Sequence, residues 1–443
     1  MRRLAVADTV PRQPAGARGG AGPQGDLLSA VAADARRVGT TVNLAAFENV
    51  LSRTARTMLA GPLADRYLIG QEHERGPGPA TLRSGLLSAG YPGVDSLERA
   101  AAESMNRMLG AAWTDFRPLS GLHATTCTVA LLTNPGDLVL SLAPDDGGHF
   151  ATRPLLESLG RRSGYLPWDT ASGTVDLART VEMWAAESAA MVFLDHGVPL
   201  VPLPVRELRT VMGTDARLVY DASHTLGLIA GGAFQDPLGE GCDIVQGNTH
   251  KSFPGAHKGM IAFADAGVGR AFSERLGNSM VSSQSTGATL ANYVTTLEMD
   301  AHAPAYAAQM QENRAALAQA LGEAGFRLHA PAEAPSPSRS HVLVVERHRS
   351  RSGYDLAAGL VRSGLVLNAR PVDGRVRLRL GVQEVTRRGM LQPDMWRIAD
   401  LMAEAAWNSG RSAAQDAVAA QVVSLAEEFS QVHFSFDGAE VVS

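Results

Sequence analysis

Between about residues 95 and 300, short apolar runs that end in polar residues alternate with helical stretches. No other feature restricts the fold of this chain as much. AAMVFLDHG (189–197), ARLVYDASH (216–224) and CDIVQGNTHK (242–251) share this form, and DLVLSLAP (137–144) and GMIAFAD (259–265) are further strand-like runs. SLERAAAESMNRMLG, PLLESLGRR and VRELRTVMG carry a helical apolar period. Strands separated by helices predict an α/β domain with a mostly parallel sheet covered on both faces. Such sheets bind ligands outside the carboxyl ends of their strands. Asp195, His196, Asp221, His224, His250 and Lys251 all fall at that edge.

The flanking regions read differently. Residues 1–25 are rich in Gly, Pro, Ala and Arg without periodicity and read as a disordered arm. Residues 26–60 form an N-terminal segment, opened by the helical DLLSAVAADARR. The large domain is placed at 61–305. A helical connector is expected over 301–325. HVLVVE (341–346), a helix at YDLAAGLVRSG and VRLRLGV (376–382) then give a smaller α+β domain, 306–443. A chain of 443 residues is long enough for such a pair of domains.

Composition excludes several functions. A net charge of -5 argues against nucleic-acid binding, which needs a clustered basic surplus. No apolar run reaches the ~18 residues of a membrane span, and the N-terminus lacks the apolar core of a signal peptide, so a cytoplasmic protein is expected. Cys127 and Cys242 supply neither a disulfide framework nor a multi-thiolate metal site, and read as reduced core thiols.

Of 40 basic residues only Lys251 and Lys258 are lysines. Arginine stays protonated and cannot act as an amine nucleophile. A lysine surviving such a bias therefore points to amine chemistry. Lys251 leaves a buried strand in NTHKSFPGAHKG (248–259), with His250 beside it. About thirty residues upstream Asp221 ends another strand, and His224 follows. A lysine for a Schiff base, a strand-end carboxylate for a pyridinium nitrogen and a covering histidine are what pyridoxal phosphate requires. Lys258 lies beyond the turn at Pro254 and Gly255 and reads as a surface or interface cation.

YDASHTLGLIAGG followed by CDIVQGNTHKSFPG resembles the matching stretch of the serine hydroxymethyltransferases. NLAAFEN (43–49), DDGGHF (145–150) and RLRLGVQEVTRRGM (377–390) are similar to further segments of that family, in its order. The resemblance implies a fold-type I pyridoxal-phosphate enzyme, homodimeric, with sites completed by the neighbouring subunit. It implies that Lys251 carries the cofactor, that Asp221 pairs with the pyridine nitrogen and that His149 stacks on the ring. His224 would lie near the cofactor oxygen and the substrate, and His250 would shape the site. Arg379 would clamp the substrate carboxylate, with Tyr67 and Glu48 on the substrate side. The phosphate cup would lie at Ser120, Gly121 and Leu122, with Gly255 also on the cofactor side. The family has Ser-Gly-Ser where this chain has Ser120-Gly121-Leu122, so His123 or Thr125 would replace the missing hydroxyl. No metal is implied.

The departures carry the functional expectation. The family's Lys-Tyr-Ala-Glu-Gly is RYLIG (66–70) here, with Tyr67 kept and Ile69 in place of the glutamate that serves the folate-dependent step. The serine before Glu48 is Phe47. Kept pyridoxal residues and lost folate residues are similar to the L-threonine transaldolases of natural-product pathways. Such an enzyme passes the glycyl unit of L-threonine to an aldehyde acceptor. The Arg-for-Lys, Ala/Gly-rich composition suggests an antibiotic-producing bacterium and a nucleoside acceptor such as uridine-5′-aldehyde, with an arylacetaldehyde as its rival. A serine or α-methylserine hydroxymethyltransferase, a threonine aldolase and a non-catalytic cofactor binder are the competing readings.

Overall fold

The computed structural model describes residues 23–75, 80–83, 86–333 and 340–437. Most of the expected N-terminal arm, residues 1–22, lies outside them. Pro23 already begins a helix, Pro23–Gly39.

The large domain is built on a seven-stranded sheet: β1 (Trp113–Asp115), β2 (Leu138–Ser141), β3 (Arg162–Tyr165), β4 (Met191–Leu194), β5 (Arg217–Asp221), β6 (Ile244–Asn248) and β7 (Gly259–Phe263), in the order β1-β7-β6-β5-β4-β2-β3. All neighbours pair in parallel except β7, which is antiparallel to both β6 and β1. The mostly parallel sheet expected from the alternation is thus present. β7 reverses because only a short loop, carrying Lys251, joins it to β6; a parallel return needs a crossover of a dozen or more residues. The apolar runs of β4 to β7 are buried on both faces, hence their near-continuous Val, Ile, Leu and Phe content.

PLLESLGRR is helical only in part. The helix Thr152–Ser158 ends before Gly160, which adopts φ 71°, and β3 starts at Arg162. The connector is longer than its periodicity suggested. It is a 38-residue helix, Thr286–Glu323, that crosses the boundary set at 305 and contains Pro304. Its first half is buried nearly all round, so no polar stripe marks it.

The small domain carries β8 (Phe326–His329), β9 (Val342–His348), β10 (Asn368–Val372) and β11 (Arg375–Gly381) in the order β8-β9-β11-β10, with Arg351–Ser352 pairing β9. The N-terminal segment joins this domain: Val42 and Asn43 pair in parallel with Leu365 and Val366. Cys127 and Cys242 are free and buried. No helix among the described residues is long and apolar enough to cross a membrane.

Candidate active site

The carboxyl ends of β4, β5 and β6, the start of the Gly121–Leu132 helix and strand β10 with Arg379 of β11 surround one cavity of about 450 Å³. Lys251, Asp221, His149, His224, His250, Gly121, Leu122, Thr125 and Arg379 line it. So do Phe47, Asp195, His196, Asn248, His257 and Arg370.

Lys251 is almost fully buried. Burial pushes its amine down to about 8, against the pull of Asp221 and with the added repulsion of Arg379 and Arg370. Its Nζ lies 3.1 Å from His224 Nε2. The other ring nitrogen of His224, Nδ1, lies 3.2 Å from the carbonyl of Ala46. A carbonyl only accepts, so Nδ1 carries the proton and Nε2 presents a lone pair to Lys251. Burial, then Lys251 and Arg379, hold the His224 pKa well below its ordinary range, so the imidazole is neutral.

Asp221 ends β5. Its Oδ1 accepts from the backbone N–H of Ser223 at 2.9 Å, and its Oδ2 from Gln246 Nε2 at 3.4 Å. Gln246 also contacts Thr125 and Thr128, at 3.0 and 2.6 Å, and so fixes the carboxylate to the helix Gly121–Leu132. Asp195, behind the His149 loop, accepts from Leu142 N, His149 N and Thr152 Oγ1 at 3.2, 3.1 and 2.6 Å. Burial pushes its carboxyl up to about 6 despite these bonds. His149 stacks on Phe150 with ring centroids 4.8 Å apart, and burial lowers its pKa. His250 meets His257 edge-on at 3.9 Å, and burial takes its pKa to about 3.

Ser120 caps the helix Gly121–Leu132, accepting from His123 N at 3.1 Å. Asn248 Oδ1 accepts from Gly121 N at 2.9 Å, and a Cβ at 121 would meet the Asn248 side chain at 2.5 Å. The two hydroxyl substitutes differ in placement. Thr125 faces the cavity. His123 does not: Nδ1 accepts from Leu119 N at 3.0 Å and Nε2 faces Cys127 Sγ at 3.5 Å.

Besides Ser120, three residues expected at the site, Glu48, Tyr67 and Gly255, do not line the cavity. Glu48 is exposed and accepts from Asn43 Nδ2 at 2.8 Å, while its neighbour Phe47 faces the cavity, its ring 5.7 Å from the Arg379 guanidinium. Tyr67 is 73% exposed, and neither it nor the half-buried Ile69 lines the cavity. Gly255 packs beneath the lysine loop: its N–H donates to the Thr249 carbonyl at 2.6 Å, and a Cβ there would stand 2.5 Å from Asn292 Oδ1. Lys258 is a correction. It is 1% exposed, not a surface cation, and its Nζ donates to Thr289 Oγ1 at 2.6 Å.

A model of the family described as Serine hydroxymethyltransferase matches residues 24–402. The chain belongs to the serine hydroxymethyltransferase family. Among individual proteins it is similar to a fluorothreonine transaldolase from Streptantibioticus cattleyicolor, 42% identical over 84% of this chain and 57% of that one. The chain therefore spans little more than half the length of that relative. It is 34% identical to an L-threonine:uridine-5′-aldehyde transaldolase from a Streptomyces species, over 82% of this chain and 84% of that one. Its structure is similar to that of L-threonine transaldolase from Pseudomonas fluorescens in the internal aldimine state, with TM-score 0.81, 28% identity and coverage of 93% and 94%.

As a member of this family the chain is a pyridoxal-phosphate-dependent transferase of fold type I. The residues present fit that cofactor. The cavity offers a buried amine at Lys251, an oriented carboxylate at Asp221, a flat ring at His149 and a capped helix N-terminus for a phosphate. Beside them, His250 Nδ1 and His196 Nδ1 are buried without a hydrogen-bond partner, polar atoms left over in the cavity wall.

Phe47, Asp195, His196 and Arg370 were not assigned roles from sequence. Asp195 and His196 carried a signal, as the polar end of an apolar run. Arg370 carried none, being one arginine among almost forty.

Proposed function

We propose that this chain is an L-threonine transaldolase of the cytoplasm. It cleaves the Cα–Cβ bond of L-threonine, releases acetaldehyde, and joins the glycyl carbon to a second aldehyde to give a β-hydroxy-α-amino acid. The balance is closed without an oxidant or reductant: one C–C bond breaks, one forms, and the proton lost from the threonine hydroxyl returns on the new hydroxyl. The observation carrying this reading is the pattern of departures. Residues suited to the pyridine ring are kept, and the glutamate of the folate-dependent step is Ile69. Similarity to two proteins named as transaldolases supports it.

Pyridoxal phosphate, when bound, holds the substrate amine and takes up the electron pair of the broken bond. Asp221, its carboxylate held by Ser223 and Gln246, would pair with the pyridine nitrogen. Lys251, with its buried amine, would hold the cofactor. Arg379 takes the α-carboxylate, offering a fork whose Nε is steadied by Asn368 Oδ1 at 3.2 Å. His224 Nε2, a lone pair 3.1 Å from Lys251 Nζ, takes the β-hydroxyl proton as general base. Its neutral state at working pH is what this role needs.

The acceptor is an oxygen-bearing aldehyde of the nucleoside 5′-aldehyde kind, with uridine-5′-aldehyde the first to test, and the setting is antibiotic biosynthesis. The enzyme is a homodimer in which the segment of Tyr67 and Ile69 reaches the cavity of the second copy, since it does not reach its own. The test is incubation with L-threonine and a panel of aldehydes, fluoroacetaldehyde, phenylacetaldehyde and uridine-5′-aldehyde among them, with amino-acid products identified by mass. Acetaldehyde release with aldol product is expected. Serine formation from glycine and methylene-folate, with no transfer to any aldehyde, would make it a hydroxymethyltransferase instead.

A further inference from the structure

Arg370 and Arg379 come from the adjacent strands β10 and β11, and both face the cavity. Asn368 pairs in register with Arg379; Arg370, two residues on, lies on the same face of β10. Gly197 sits between the two guanidiniums. A Cβ at 197 would stand 2.9 Å from Arg370 Nη1 and 3.7 Å from Arg379 Nη1, so both groups converge on a spot that this glycine leaves open.

Neither arginine is hydrogen-bonded to a carboxylate among the described residues, though Asp195 and Asp145 act on Arg370 from further off. Arg379 donates to the Gly197 carbonyl and to Asn368. Arg370 donates through Nη2 to the carbonyls of Pro144 and Gly148, at 3.1 and 3.2 Å, and through Nε to that of Pro371 at 3.3 Å. Its Nη1 has no partner among the described residues. Burial disfavours the charge on both guanidiniums, and Arg370 adds its repulsion to Arg379; Asp195 and Asp145 offset this in part for Arg370, and no carboxylate does so for Arg379. The arrangement makes sense when ligands bring the missing oxygens. On the transaldolase reading, on which this inference rests, the threonine carboxylate accounts for one guanidinium only.

We propose that Arg370 recognises the acceptor: its free Nη1 donates to an oxygen that the second aldehyde carries beyond its carbonyl group. The site then selects oxygen-bearing aldehydes over hydrocarbon ones. That oxygen belongs either to a neutral sugar or base, as in a nucleoside aldehyde, or to a carboxylate; a guanidinium serves both.

The test uses holoenzyme of the wild type, Arg370→Gln and Arg370→Lys, saturated with L-threonine. The acceptors are uridine-5′-aldehyde, succinic semialdehyde and phenylacetaldehyde. Arg370→Gln should lower kcat/KM for the oxygen-bearing aldehyde that the wild type prefers by about 10- to 100-fold, with phenylacetaldehyde changed by less than about threefold. The KM for L-threonine should not move. Arg370→Lys should keep part of the activity on succinic semialdehyde, where charge suffices, and lose it on uridine-5′-aldehyde, where the fork is needed; it also decides the matter if the Gln variant does not fold. Equal losses on all three aldehydes, or a wild type that prefers phenylacetaldehyde, would overturn the assignment. A raised KM for L-threonine would move Arg370 into the amino-acid clamp and overturn it too. Acetaldehyde release from L-threonine is followed separately. Its absence in the wild type sinks the transaldolase reading and this assignment with it, whereas release without aldehyde discrimination sinks the assignment alone.

Discussion

Two regions of this chain bury charge, and they do so in opposite ways. Beneath the sheet edge near β1, Arg117 is bonded to Asp115 at 2.6 Å, with both side chains at most 1% exposed, and Arg75 lies between Asp95 and Glu98. Every guanidinium in that cluster has a carboxylate. In the cavity Lys251, Arg370 and Arg379 are bonded to none among the described residues, and Asp221, Asp195 and Asp145 act on the first two only from further off. A buried ion pair that satisfies itself is architecture, and breaking it is costly. Buried cations that face open space instead mark a place where a ligand completes the electrostatics. The two lysines divide along this line. Lys251 faces the cavity, whereas Lys258 sits in the paired region, held by Thr289 and in the field of Asp115 and Glu98.

The largest expected effect tests that division. Lys251→Ala should lower turnover by at least ~10⁴-fold. Borohydride reduction of the wild type followed by peptide mapping should place the cofactor on Lys251. Cofactor found on Lys258 would erase the contrast between the regions.

A paired measurement comes next. Asp115→Ala takes from a fully buried guanidinium its bonded carboxylate, leaving only Glu74 at 3.7 Å, and should cost about 3–5 kcal/mol of stability in denaturant unfolding. Arg379→Gln removes a cation that has no carboxylate partner, so unfolding should shift by less than about 1 kcal/mol while the KM for L-threonine rises about 10- to 100-fold. If Arg379→Gln unfolds the protein as readily as Asp115→Ala does, the distinction between paired architecture and unpaired site fails.

The histidines give a third, smaller effect. Burial depresses His196, His250 and His341 to about 3 and His224 well below its ordinary range. As pH falls below about 6.5 the unfolded chain takes up protons at these rings and the folded chain does not, so stability falls with pH. Asp195, raised to about 6, works the other way: its folded form binds the extra proton between about 4 and 6, so its contribution is lost as pH rises through 6. His123, His149, His329 and His348 are lowered as well, and Glu98, Asp146 and Glu384 are raised like Asp195; the rings outnumber the carboxyls, so a net loss of stability is predicted between pH 7 and pH 5, at most ~1.4 kcal/mol per pH unit per ring. A flat stability profile in urea over that range would show that the cavity lets water reach these rings.

How much of this was legible follows from what each residue type signals. Strands β4 to β7 were legible because both-sided burial leaves continuous apolar runs. β1 and β3, three and four residues long with mixed composition, left no such trace. Strand ends expose Asp221 and Lys251 to inspection, since polarity interrupts an apolar run there. Arg370 is on a strand with the half-exposed pattern of NARPV, where an arginine looks like any solvated one. Lys258 was misplaced because the turn before it suggested the surface; the long helix that covers it, Thr286–Glu323, hides its burial from the local sequence.

Ile69 supplies the smallest effect and the most specific one. Its backbone neighbours are fixed: Gln284 N donates to the Leu68 carbonyl at 3.2 Å, and Arg75 Nη1 and Gln284 Nε2 donate to that of Gly70 at 2.7 and 3.0 Å. A side chain at 69 is therefore held in a defined place by the paired-charge region, though it belongs functionally, in the proposed dimer, to the other copy's cavity. On the proposed transaldolase reading, isoleucine there would place no carboxylic acid from this segment beside the glycyl carbon, which would then last long enough to meet the second aldehyde. Ile69→Glu supplies a proton donor and should divert flux from aldol product to glycine. A positioned acid contributes ~10²–10⁴-fold to a proton-transfer step, and a donor placed by chance should deliver several-fold of it. The measurement is the ratio of glycine to aldol product at fixed L-threonine and aldehyde, with Ile69→Gln as the control that adds bulk and polarity without an acid. A ratio that rises for Glu and not for Gln supports proton exclusion as the reason for the apolar residue. An unchanged ratio in both would leave Ile69 a packing residue and remove it from the case for transaldolase activity.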